Sequence, residues 1–169
     1  MQKIIIKYGL ISGVIAAILL FVVHVLFKKV GFSDSMYVGY ATMMVSMSVV
    51  YFGIKAYRDE HSSGQITFGK GILVGLAIVL ISCVLYSLAW LVVYYNFLPN
   101  FMDDYTANYL KKAQETGISA EELKKTMDSM NEMKEWYKNP ILVFLITLLE
   151  PTPVGIPFAF LFAWVLKKR

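Results

Sequence analysis

Charge is what this sequence has least of. Only 17% of its 169 residues are Asp, Glu, Lys or Arg, and 57% are hydrophobic, where a soluble domain is about 25% charged and about 45–50% apolar. That balance excludes a water-soluble globule. Cysteine is nearly absent: Cys83 stands alone inside an apolar run, which rules out an intramolecular disulfide, a Cys-x-x-Cys redox pair and a cysteine-based metal cluster. Histidine is limited to His24 and His61, so no His-Glu-x-x-His zinc helix exists, and Phe68-Gly69-Lys70-Gly71 has glycines without the phosphate-loop pattern. No nucleophile paired with a base and no paired acids occur. No enzyme class, metal or cofactor is therefore expected.

What the chain does have is apolar length. The hydrophobic excess falls in four blocks, residues 8–27, 36–56, 71–95 and 141–166, each about 20 residues or longer and so able to cross a hydrocarbon core about 30 Å thick. The first is too long for the apolar region of a signal peptide, about 7–15 residues, and no small-x-small cleavage site follows it. The expected fold is all-α: a single membrane domain over residues 1–169, built as a bundle of four transmembrane helices. A short turn over 31–35 would join the first two helices and a polar stretch over 57–70 the next two. The formal charge of +4 reads as topology, since the basic residues collect at block ends. The lipid bilayer is the expected partner, and nucleic acid is not.

Residues 96–140 hold eight of the twelve acidic residues and six of the sixteen basic ones, and they cannot span a bilayer. Tyr105, Tyr109 and Ala113 recur at fourfold spacing after Pro99, with Gly117 as a stop, which predicts one amphipathic helix over about 101–115. A second is predicted from Ser119, where Ser-x-x-Glu with Glu122 makes a capping box, its apolar stripe being Leu123, Met127, Met130 and Tyr137. The arm is thus a helical hairpin between helices three and four. Its stripes are expected to pack on each other or on the membrane surface, with a partner-binding face as the alternative for a Met-rich side.

Orientation follows the density of basic residues. Lys3, Lys7, Lys55, Arg58, Lys70, Lys167, Lys168 and Arg169 lie in 26 residues at one end, while Lys28, Lys29, Lys111, Lys112, Lys124, Lys125, Lys134 and Lys138 lie in 53 at the other. Both termini are therefore expected in the cytoplasm and the arm outside.

Lys7-Tyr8-Gly9-Leu10-Ile11-Ser12-Gly13 opens helix one, Tyr51-Phe52-Gly53-Ile54-Lys55-Ala56-Tyr57-Arg58-Asp59 runs into Ile66-Thr67-Phe68-Gly69-Lys70, and Leu149-Glu150-Pro151-Thr152-Pro153-Val154-Gly155 lies in helix four. In order, spacing and layout these stretches resemble the bacterial membrane family known as domain of unknown function 4199, over nearly the whole chain. The resemblance implies the cytoplasmic membrane of a bacterium, largely among Bacteroidota. It brings no catalytic or ligand residue with it.

A few residues stand out chemically. Gly9 and Gly13, followed by Ala17, and Gly71 with Gly75 form small-xxx-small ridges, which let helix backbones approach closely within the bundle or across a homodimer seam. The stretch Arg58-Asp59-Glu60-His61-Ser62-Ser63-Gly64 reads as a solvated turn, because one histidine with two acids is a poor ligand set. His24, about 16 residues into helix one, lies roughly 24 Å from the cytoplasmic side and near the outer interface; a neutral, hydrogen-bonded ring is expected. Glu150, about nine residues into helix four, lies roughly 14 Å deep, near the centre of the bilayer. An acid at that depth must be protonated, paired or facing water, and it marks a functional site by default. Pro151, Pro153 and Pro157 should break the helix beside it. Ser46 and Ser82 fall at the same depth and are its expected partners. The leading expectation for function is a structural or accessory membrane component with a partner-binding arm and Glu150 as a buried polar staple. The alternative is a proton- or ion-coupled carrier, dimeric, with Glu150 as the titrating group.

Overall fold

A computed structural model describes residues 1–26 and 32–168. The expected end of helix one at residue 27, the anchors Lys28 and Lys29, the turn residue Gly31 and Arg169 lie outside the described residues. The described residues form helices α1 (Gln2–Phe21), α2 (Phe32–Met47), α3 (Val49–His61), α4 (Phe68–Phe97), α5 (Phe101–Glu115), α6 (Ala120–Trp136), α7 (Pro140–Leu149) and α8 (Thr152–Leu166), with a π-helical turn at Val22–Leu26 continuing α1. Four stretches are long and apolar enough to cross a membrane: Gln2–His24, Tyr37–His61, Phe68–Phe97 and Pro140–Leu166. The protein is an all-α membrane bundle with a helical arm between its third and fourth spans.

Apolar runs locate the spans but not their ends. α1 begins at Gln2 rather than residue 8, and α3 continues to His61, because helical backbone persists through the polar interface where side chains no longer need to be apolar. The linker expected over 57–70 shrinks to 62–67, closed by positive φ at Ser63 and Gly64 and by Thr67, whose side chain caps α4 by accepting from the Lys70 N–H. Of the turn expected over 31–35, residues 32–35 belong to α2, which starts at Phe32. The second span is interrupted between α2 and α3 at Ser48, whose hydroxyl donates to the Val45 carbonyl at 2.6 Å and so competes with the helical ladder.

α4 is the central helix. Ile78, Val79 and Cys83 on it pack with Met47, Val50, Ile54 and Ala159, while Tyr86, Trp90 and Val93 pack with Ala16, Leu20, Met43 and Val143. Leu10, Val14 and Ile18 on α1 and Leu73, Leu80 and Leu88 on α4 stay exposed, a surface suited to lipid rather than water. Gly9 faces Ile81 and Gly13 faces Leu85, a register that rises together and makes α1 and α4 parallel; Gly71 faces Ala163 and Gly75 faces Ala159, which makes α8 antiparallel to them. Both glycine ridges are thus used inside one chain.

At the end holding the N-terminus, the Ile66 N–H donates to the Lys168 carbonyl at 2.9 Å and the Lys168 N–H donates to the Ile66 carbonyl at 3.0 Å. Lys7, Lys70 and Lys167 lie over the rings of Tyr8, Tyr57 and Trp164. At the opposite end the arm folds as an α5–α6 hairpin. Gly117 turns it with φ 71°, and Ser119 and Glu122 form the full capping box. Lys134 of α6 pairs with Asp103 of α5.

Candidate functional site

Where the arm meets the bundle, the structure holds a cavity of about 240 Å³ lined by His24, Tyr86, Trp90, Phe101, Met102, Tyr105, Met133, Tyr137, Ile146 and Glu150. Five features of the fold converge there. The π-helical turn at Val22–Leu26 carries His24, and a widened turn of this kind shifts a side chain off the helical register. Tyr86 and Trp90 are one turn apart on α4, Phe101, Met102 and Tyr105 line one side of α5, and Met133 and Tyr137 close the end of α6. Glu150 sits in the break between α7 and α8.

The break has a local cause. Pro151 and Pro153 lack the N–H groups that would bond the carbonyls of Thr147 and Leu149. The Glu150 N–H donates instead to the Thr147 carbonyl at 3.2 Å, and the Thr152 hydroxyl donates to the Leu149 carbonyl at 2.6 Å. Of the three prolines expected to break the helix, Pro151 marks the break, Pro153 sits in the first turn of α8 and Pro157 lies inside continuous helix. The carbonyls expected to stay without donors next to the acid are thereby largely taken up.

Glu150 keeps exposed surface in the cavity wall, with the Tyr86 hydroxyl as its polar neighbour. Ser46 and Ser82 do not serve it. Both are fully buried with Ser12: the Ser12 hydroxyl donates to the Ser46 carbonyl at 2.8 Å and lies 3.0 Å from the Ser82 hydroxyl, while the Ser46 hydroxyl turns back to the Met43 carbonyl at 2.9 Å. Having given its one proton to the Ser46 carbonyl, Ser12 must accept from Ser82. Three helices are joined at that point, and Ser12 is the member that reasoning from depth in helices two to four did not reach.

His24 Nδ1 lies 3.0 Å from the Leu20 carbonyl, and since a carbonyl only accepts, Nδ1 carries the proton. The imidazole meets the Trp90 ring edge to face at 5.1 Å. Trp90 is 5% exposed, and its indole N–H finds no acceptor at bonding geometry, with the Tyr137 hydroxyl as its polar neighbour. Phe101 stands edge-on to Trp90 at 5.0 Å and stacks on Tyr105 at 5.9 Å.

The two arm tyrosines stay protonated at neutral pH. Burial, helped by the Glu150 charge, pushes the Tyr137 hydroxyl up to about 12, and burial raises Tyr105 as well. Unfolded tyrosine titrates near 10. Between about pH 10 and 12 the folded state therefore holds the Tyr137 proton that the unfolded state has lost, so this group's contribution to stability falls as pH rises through that window and is constant below it. Melting curves at about pH 9 and 11 should fall less steeply for Tyr137→Phe than for the parent. Parallel curves would place Tyr137 in solvent.

The arm uses its methionines inward: Met102 and Met130 are buried and Met133 faces the cavity, while Met127, expected in the stripe, is 44% exposed. Leu123 is half-buried, and Lys124 and Asp128 are exposed. The stretch read as the loop 58–64 is helical to His61, with Arg58 Nε 2.7 Å from Asp59 and the His61 ring against Tyr57. Among the described residues no group of three His, Cys, Asp or Glu side chains comes together to hold a metal ion.

A family model described as Protein of unknown function (DUF4199) matches residues 7–168. No curated protein and no solved structure matches the chain.

Proposed function

The chain belongs to the DUF4199 family, and we propose that it is a bacterial inner-membrane protein that works by holding a small solute or ion at Glu150 beneath the arm. The observation that carries this reading is the convergence of an acid, an imidazole and an aromatic wall on one cavity at a helix break. Intramembrane acids are expensive unless they act, and half-helix ends beside an acid suit ion and solute binding. The arm is its lid: its aromatic side forms one wall of the cavity, which supports this role over that of a surface for another protein. Termini in the cytoplasm and the arm outside agree with the basic, aromatic-capped end at Lys7, Lys70 and Lys167.

A structural accessory role is the second reading, favoured by the Tyr86 hydroxyl beside Glu150, which brings the third span to the fourth. The two separate at Glu150: a polar tie survives Glu150→Gln, whereas a site that acts through the carboxylate does not, so Glu150→Gln should fold at normal expression and fail to restore the phenotype of a strain lacking the chromosomal copy. Full restoration would favour the structural role.

The orientation is checked at Gln114, which is exposed near the tip of the arm. Gln114→Cys, with Cys83→Ala, should react with an impermeant thiol reagent in cells whose outer membrane alone is permeabilised. Labelling only after inner-membrane lysis would invert the topology.

A further inference from the structure

We infer that the cavity is a binding site for a small alkylated ammonium ion. This rests on the reading of Glu150 as a binding residue and adds the class of ligand. Charge decides the sign. Among the described lining residues Glu150 is the one acidic residue, and neither Lys nor Arg occurs. Two walls then decide between a bare metal ion and an organic cation. A hard metal ion needs several oxygen ligands at close range, and the surroundings of Glu150 are instead the rings of Trp90, Tyr86, Tyr105 and Tyr137. Aromatic faces around a single carboxylate are what attract an alkylated ammonium, because the ring quadrupole is negative at its face and the charge is spread over carbons that need no water.

Size sets the upper limit: pockets for drug-sized ligands span about 300–1,000 Å³, so 240 Å³ admits something smaller.

Choline and its uncharged carbon isostere 3,3-dimethylbutan-1-ol make the test, titrated by calorimetry into the full chain in nanodiscs. Choline should bind saturably. The isostere should bind at least about tenfold more weakly, and Glu150→Gln should weaken choline by a similar factor while leaving the isostere unchanged. Equal binding of choline and isostere would overturn the inference, and so would no binding of either. If choline fails to bind while Glu150→Gln folds and fails to complement, the ligand class is wrong and the binding role of Glu150 stands; if Glu150→Gln complements at normal expression, that role falls with it.

Discussion

Gly13→Val should destabilise the bundle more than any other single change considered for the first span. A Cβ on Gly13 would lie 2.5 Å from Leu85 Cδ1 and 2.7 Å from Leu85 Cβ. The first atom can swing away. The second is fixed to the α4 backbone, so the helices must separate. Valine adds two further methyl groups in the same gap, and overpacking of this kind costs about 1–3 kcal/mol, occasionally more. Gly39 is the internal control, because a Cβ there meets nothing within 4 Å. Gly39→Ala should be neutral or stabilising by up to about 1 kcal/mol through helix propensity. Thermal unfolding of purified protein reads both. A Gly13→Val protein that melts with the parent would show that α1 does not pack on α4 along this ridge.

The four spans were legible because run length is a bulk property: no local detail is needed to see that 71–95 must be buried in something apolar. The arm was legible for the opposite reason, since Ser119, Glu122 and Gly117 act through their nearest neighbours. Rotation about a helix axis was not legible. Depth arithmetic put Ser46 and Ser82 at the level of Glu150, and Tyr86, its polar neighbour, lies only four residues, about 6 Å, along α4 from Ser82. Depth does not say which way a side chain faces, and Ser12 on α1 already stands between the two serines. The cavity was hidden for the same reason. Its walls come from α1's π-helical end, α4, both arm helices and the α7–α8 break, and no spacing within one segment reveals that the arm folds back over His24 and Glu150. Tyr105 and Tyr137 were visible as stripe residues, but their stripes were expected to pack on each other or on the membrane surface.

Glu150→Gln should fold and fail. The amide keeps the side chain's length and can still accept from the Tyr86 hydroxyl, so the melting temperature should stay close to the parent's. It carries no negative charge and cannot exchange a proton, so a site that acts through its carboxylate loses its function outright. Glu150→Leu separates the two losses. It leaves the Tyr86 hydroxyl without an acceptor, at a cost of about 0.6–2 kcal/mol, and should be both less stable and inactive. The decisive measurement is complementation of the deletion strain by Glu150→Gln at matched expression and matched melting temperature. The cavity reading predicts a folded protein that restores nothing. Full restoration by Glu150→Gln would contradict it and leave Glu150 as a tie between helices.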